Sequence, residues 1–166
     1  MSRITARLAA GATLALALSA APALAADPAP DPVGISRTPW GDVLPDTAPG
    51  LRMGLWQVTL PGYTAAPPHA HLGYQIIYVS QGTEGYHIIS GAAEVHRVDG
   101  TVEAVATGDT FELMTGDWIV ETPGMEHEAW NAGAETVLNV AATLFPDGAP
   151  LSVAVNVPSV APSFAP

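Results

Sequence analysis

Residues 69–75 read His-Ala-His-Leu-Gly-Tyr-Gln, and one more histidine, His127, follows a Pro123-Gly124 turn. His69 and His71 are two apart, so on a strand both imidazoles point to one face. Gln75 lies four further on, at even spacing, and shares that face if the strand continues. Imidazole nitrogens and an amide oxygen are ligand atoms for a divalent transition metal. Taken singly, each histidine has an ordinary reading as a surface residue or a core residue satisfied by backbone. Three imidazoles inside one small β-structure are costly unless something satisfies them, and a metal ion would. The chain has no cysteine, so any metal must be held by nitrogen and oxygen.

Gln75 sets the electrostatics of such a site. Its amide oxygen is neutral and is no general base near neutral pH. The ion keeps its full charge, which makes it a stronger Lewis acid and a more weakly held one. A three-histidine site with open positions is the alternative, with Gln75 off the metal. Around these residues, His87 faces the interior or solvent according to register, and His96 reads as exposed beside a hairpin. Tyr74, Tyr78, Tyr86 and Trp130 read as packing. Glu121, Glu126 and Glu128 bracket His127 and read as a solvated rim.

The elements that must position these groups are strands. Helical periodicity is weak, and short runs rich in Val, Ile, Thr and Tyr recur between glycines. They are 51–60, 74–80, 85–90, 93–98, 101–106, 110–114, 118–121 and 136–144. Asp99-Gly100 signals a two-residue hairpin, and Gly108-Asp109 and Gly116-Asp117 mark further turns. Strands about ten residues apart predict an all-β sandwich or barrel.

The spacing resembles that of the cupin superfamily. Its first motif is matched by His69-x-His71-x3-Gln75-x6-Gly82. Its second is matched by Gly116-x5-Thr122-x-Gly124-x2-His127-x3-Asn131. The resemblance runs from Gly62 to Asn131. It implies a double-stranded β-helix (a jelly-roll barrel) in which His69, His71, Gln75 and His127 bind one divalent metal. Iron is the first expectation, with Mn, Ni, Cu or Zn compatible. It also implies that Gly82 and Gly124 serve turns and that Asn131 supports the second motif without touching metal. The chain departs from the pattern in three places. Gly62 precedes His69 by one residue too many, Thr122 replaces a proline that Pro123 restores one place later, and Gln75 replaces a glutamate.

The ends read differently. Arg3 and Arg7 precede an apolar, alanine-rich run from Leu8 to Leu18. Pro22 then breaks the helix, and Ala23-Leu24-Ala25 offers a small-x-small cleavage pattern. Residues 1–25 are expected to be a signal peptide cut after Ala25, which implies a secreted or periplasmic protein with no membrane attachment after cleavage. Residues 26–50 read as an extended Pro/Gly-rich lead-in, 51–157 as the barrel and 158–166 as a loose tail. All five basic residues are arginines. Cleavage leaves three of them against sixteen carboxylates, a charge that repels nucleic acid and anionic lipid. The expected partners are a small-molecule substrate or ligand and a second copy of the chain, since open sheet edges favour a homodimer.

Three classes of function fit these readings. A dioxygenase would bind a small organic substrate or oxygen at open metal positions. A lyase or isomerase would polarise a carbonyl and would need a separate base, for which His87 or a tyrosine is the candidate. A non-catalytic protein would hold a small molecule or the metal itself.

Overall fold

The computed structural model describes residues 34–164; the expected signal peptide lies outside them. It contains twelve strands: β1 Ser36–Val43, β2 Leu51–Leu60, β3 Thr64–Ala70, β4 Tyr74–Gln81, β5 Thr83–Ser90, β6 Ala92–His96, β7 Val102–Ala106, β8 Thr110–Met114, β9 Trp118–Glu121, β10 Glu126–Asn131, β11 Val137–Pro146 and β12 Val153–Ala154. They form two antiparallel sheets. The larger runs β1-β2-β11-β4-β9-β6-β7 and the smaller β12-β3-β10-β5-β8.

Alternation explains how the sheets face each other. In β11, Val137, Asn139, Ala141, Thr143 and Phe145 are buried and the residues between them are less so, the period-2 pattern of a strand with one face on a core. Leu60, Val79, Ile88, Val95, Leu113 and Ile119 fill the space between the layers with almost no solvent exposure. The result is the double-stranded β-helix that the sequence predicts.

Three local features differ from the sequence reading. The 6–7 hairpin does not close on two residues. Arg97 N donates to Thr101 O and Gly100 N to Arg97 O, and Gly100 takes φ +89°. This is a three-residue loop whose last position needs left-handed backbone. Part of the Pro/Gly-rich lead-in is β1, paired along its length with β2. And the strand carrying His69 does not continue to Gln75: β3 ends at Ala70, the chain turns through His71-Leu72-Gly73, and Gln75 lies on β4 in the opposite sheet. The even spacing still points it inward, because the turn rather than one strand carries the residue across.

The second motif folds as expected. Met125 N donates to Thr122 O, and Gly124, at φ +78°, donates its N–H to His71 O. The Pro123-Gly124 turn therefore ties the two motifs together. Asn131 is buried. It donates to the carbonyls of Leu60, Pro61 and Glu135 and accepts from Gly133 N, so its amide anchors the loops at the far end of β10.

Candidate metal centre

His69 and His127 are cross-strand partners of β3 and β10, with ring centroids 4.3 Å apart. His71, in the turn after β3, lies 5.1 Å from His69 and 5.2 Å from His127. All three are buried, and one nitrogen from each lies within 4.8 Å of the other two. A register irregularity in β10 falls at His127, the kind of bulge that re-aims a side chain.

The hydrogen bonds determine which nitrogens face inward. Nδ1 of His69 lies 2.7 Å from Pro67 O, Nδ1 of His71 2.5 Å from Leu151 O, and Nδ1 of His127 3.4 Å from Met125 O. A carbonyl only accepts, so each Nδ1 carries a proton, and in the neutral ring Nε2 is the nitrogen that presents a lone pair. Tethering of one ring nitrogen to a carbonyl is how metal-binding imidazoles are oriented. Burial, with the facing His127 and His71, pushes the His69 imidazole well below its ordinary value. Burial likewise lowers His127, to about 4, against the opposing pull of Glu121. Both are neutral at physiological pH, the state a metal needs. The donor set and its tautomers fit a divalent ion.

Gln75 reaches this cluster through its amide nitrogen, 3.2 Å from His71 Nε2 and 2.7 Å from a carboxylate oxygen of Glu121. Glu121 is the residue that linear reading misplaced. Far from a solvated rim, it is 2 % exposed, and Tyr86 OH donates to its Oε1 at 2.5 Å. Its Oε2 lies 3.1 Å from His71 Nε2 and its Oε1 3.4 Å from His127 Nε2. Burial by itself pushes this carboxyl up, but His127, His71 and the Tyr86 hydroxyl together hold it below the ordinary carboxylate range. The same burial and the adjacent carboxylate raise Tyr86, so the phenol keeps its proton. No motif signals Glu121. The only available signal was its place at the inward end of the predicted strand 118–121, two residues after the buried Ile119.

The other sequence candidates separate cleanly. Tyr86 is in the site, with its ring stacked on His127 at 5.1 Å. His87 points the other way, toward Thr110 Oγ1 and Asp109 O. His96 stacks on Trp118 at 3.6 Å, on the outer face of the larger sheet. Glu128 is buried, but its partners are Ser159 Oγ and Val160 N of the C-terminal segment.

A cavity of about 50 Å³ opens onto the cluster, room for a few waters or the reacting end of a small ligand. Its walls include Val58, Ile77, Ala129 and Ala141, and it holds one further acid, Glu84. Burial raises Glu84 from 4.5 to about 8, against the hydrogen bond from Asn139 and with help from the Glu121 charge. Asn139 Nδ2 donates to Glu84 at 2.8 Å, while Asn139 Oδ1 is buried without a partner among the described residues.

The two facing antiparallel sheets, with the histidines between them, define a double-stranded β-helix. No protein-family model and no curated sequence matches the chain. Solved structures similar to it include a cupin domain from Bordetella pertussis Tohama I, at 16% identity over 67% of this chain and 93% of that one, with a TM-score of 0.42. An oxalate decarboxylase from Lactobacillus farciminis, solved as its formate complex, matches at 17% identity over 63% of this chain and 27% of that one, with a TM-score of 0.43. A polyketide cyclase from Streptomyces resistomycificus matches at 19% identity over 78% and 76%, with a TM-score of 0.39.

Proposed function

We propose that this chain is an exported, homodimeric metalloenzyme that binds one divalent transition metal, iron first, and acts as a dioxygenase on a small organic substrate. One observation carries the reading: three buried imidazoles, each tethered through Nδ1 to a main-chain carbonyl, bring one nitrogen each within 4.8 Å of the other two on the wall of one cavity. His69, His71 and His127 would hold the ion. When bound, it would supply Lewis acidity to a coordinated oxygen atom and, if redox-active, electrons to dioxygen. The chain's own groups do the rest. Ile77, Ala129 and Ala141 give the cavity an apolar wall for the body of a substrate. Protonated Glu84 and the unpartnered Asn139 oxygen offer one donor and one acceptor to a substrate with a polar end. Tyr86 holds its proton at the hydroxyl against Glu121.

A second reading, a lyase or isomerase, is favoured by that Tyr86–Glu121 pair, which supplies the acid–base group such a reaction needs inside the cavity. Metal analysis of protein purified without chelator, followed by oxygen uptake over a panel of small phenols and oxo acids, separates the two. We expect close to one equivalent of iron, loss of it in His127→Ala, and oxygen consumed only with substrate present. Turnover under nitrogen or with zinc would transfer the assignment to the second reading. Protein that stays empty after incubation with several divalent ions would overturn both.

A further inference from the structure

Glu121 and Gln75 are direct cross-strand partners on β9 and β4, both inward and both lining the cavity. Partners in an antiparallel pair hold their Cβ atoms about 5 Å apart, so a long side chain on one reaches the space in front of the other. Resting on the three-histidine metal reading, we infer that Glu121 is the carboxylate ligand of the site, supplied from β9, and that Gln75 is a positioning residue that aims it.

The geometry leaves a place for a cation here, where imidazole nitrogens and carboxylate oxygens face one another. With each Nδ1 donating to a carbonyl, His71 Nε2 and His127 Nε2 turn lone pairs toward Glu121 oxygens at 3.1 and 3.4 Å. Lone pair facing lone pair is repulsive, and the low dielectric of the buried site enlarges the repulsion. The two available donors are already placed on the carboxylate, Gln75 Nε2 on Oε2 and Tyr86 OH on Oε1. They fix its plane and still leave each oxygen lone-pair capacity on the side of the imidazoles. A divalent ion held by the imidazoles and this carboxylate would convert the His71 and His127 contacts into attractions. It also neutralises a charge that is otherwise expensive to bury. The Gln75 amide, with its nitrogen turned to Glu121 and His71, has the orientation of a donor and not of a ligand.

Moving the carboxylate one strand over keeps the charge of the site while changing the residue that bears it. That makes the inference separable from the three-histidine reading. Metal-free full-length protein is titrated with Co2+, whose visible absorption reports the ligand set and whose titration gives affinity and stoichiometry. Wild type is compared with E121Q, Q75A, H127A and the exchange Q75E/E121Q, each checked for folding by circular dichroism.

Wild type should take one equivalent. E121Q should weaken binding beyond the ~100-fold upper end of losses seen for residues behind the ligands, and alter the spectrum, while Q75A should cost about 10-fold with the spectrum kept. Q75E/E121Q should recover affinity, because the carboxylate then enters from β4. If E121Q does not fold, the exchange variant and E121D carry the same comparison. Wild-type affinity and an unchanged spectrum in E121Q would overturn the assignment of Glu121 and leave the three histidines standing. So would an exchange variant no tighter than E121Q. A wild type that binds no Co2+ removes the metal reading itself.

Discussion

Glu84 ties the stability of the fold to pH. Its carboxyl sits at about 8 in the fold and at 4.5 when exposed, so between those values the folded state binds the proton and the unfolded state does not. The contribution is complete below pH 4.5, is lost as pH rises, and is gone above about 8, with a limiting slope of ~1.4 kcal/mol per pH unit. An amide in place of this carboxyl binds no such proton. Urea unfolding of wild type and Glu84→Gln at pH 5 and pH 8 should therefore show the variant gaining on wild type at the higher pH; parallel profiles would refute the burial account. Residues of this kind are poorly legible in sequence. His69, His71 and His127 were readable because spacing along the chain places them, whereas Glu121 and Glu84 owe their burial to partners on other strands, Gln75 at 46 positions' distance and Asn139 at 55.

At the scale of elements, the turn between β3 and β4 carries the most consequence. A Cβ on Gly73 would run into the Leu144 carbonyl oxygen and Phe145 of β11, and backbone cannot rotate out of the way as a side chain can. Gly73→Ala should cost about 3 kcal/mol, the upper end for overpacking, measured as a shift in the urea midpoint. It should also weaken metal binding, because His71 and Gln75 flank the turn. The strands that sequence revealed were those with alternating apolar residues: 51–60, 110–114 and 118–121 appear with those bounds as β2, β8 and β9, and β4, β5, β6, β7 and β11 within two residues at each end. The strands it concealed lack that signature. β3 contains Pro67 and Pro68, β10 is built around Glu126, His127 and Glu128, β1 lies in the Pro/Gly-rich lead-in, and β12 has two residues. Each is held by pairing with a neighbour already in place, which local propensity does not record.

The whole molecule presents an unusual outer face on its larger sheet. Leu55, Ala142, Ile76 and Val120 form one row across four paired strands, and Met53, Leu144 and Tyr74 form another. Tyr74, Ile76 and Tyr78 are each at least 40% exposed, and β1 at the sheet margin has one paired neighbour among the described residues. These features support the proposed homodimer and shift its expected contact from the sheet edge toward this face, since contiguous exposed apolar surface marks association sites. Light scattering coupled to gel filtration should give twice the mass of one chain, and Ile76→Asp should halve it with the circular dichroism spectrum intact. A monomeric wild type would remove the proposal. On the opposite sheet the C-terminal segment hydrogen-bonds Glu128 of β10 through Ser159 and Val160.

The three tethers that orient the histidines all end on main-chain oxygens, those of Pro67, Met125 and Leu151. A point mutation replaces a side chain and leaves that oxygen where it was. The tautomer of each of these three imidazoles is therefore insulated from the loss of the side chain at the residue that enforces it, although Leu151 also lines the cavity and Met125 also packs in the core. Gln75 and Tyr86 have no such protection, because each acts through the part of the residue that a single codon change removes. Random mutagenesis should map that asymmetry: tolerance at exposed Pro67, whose tether is all that it contributes to the centre, and loss at the two positions whose side chains hold Glu121.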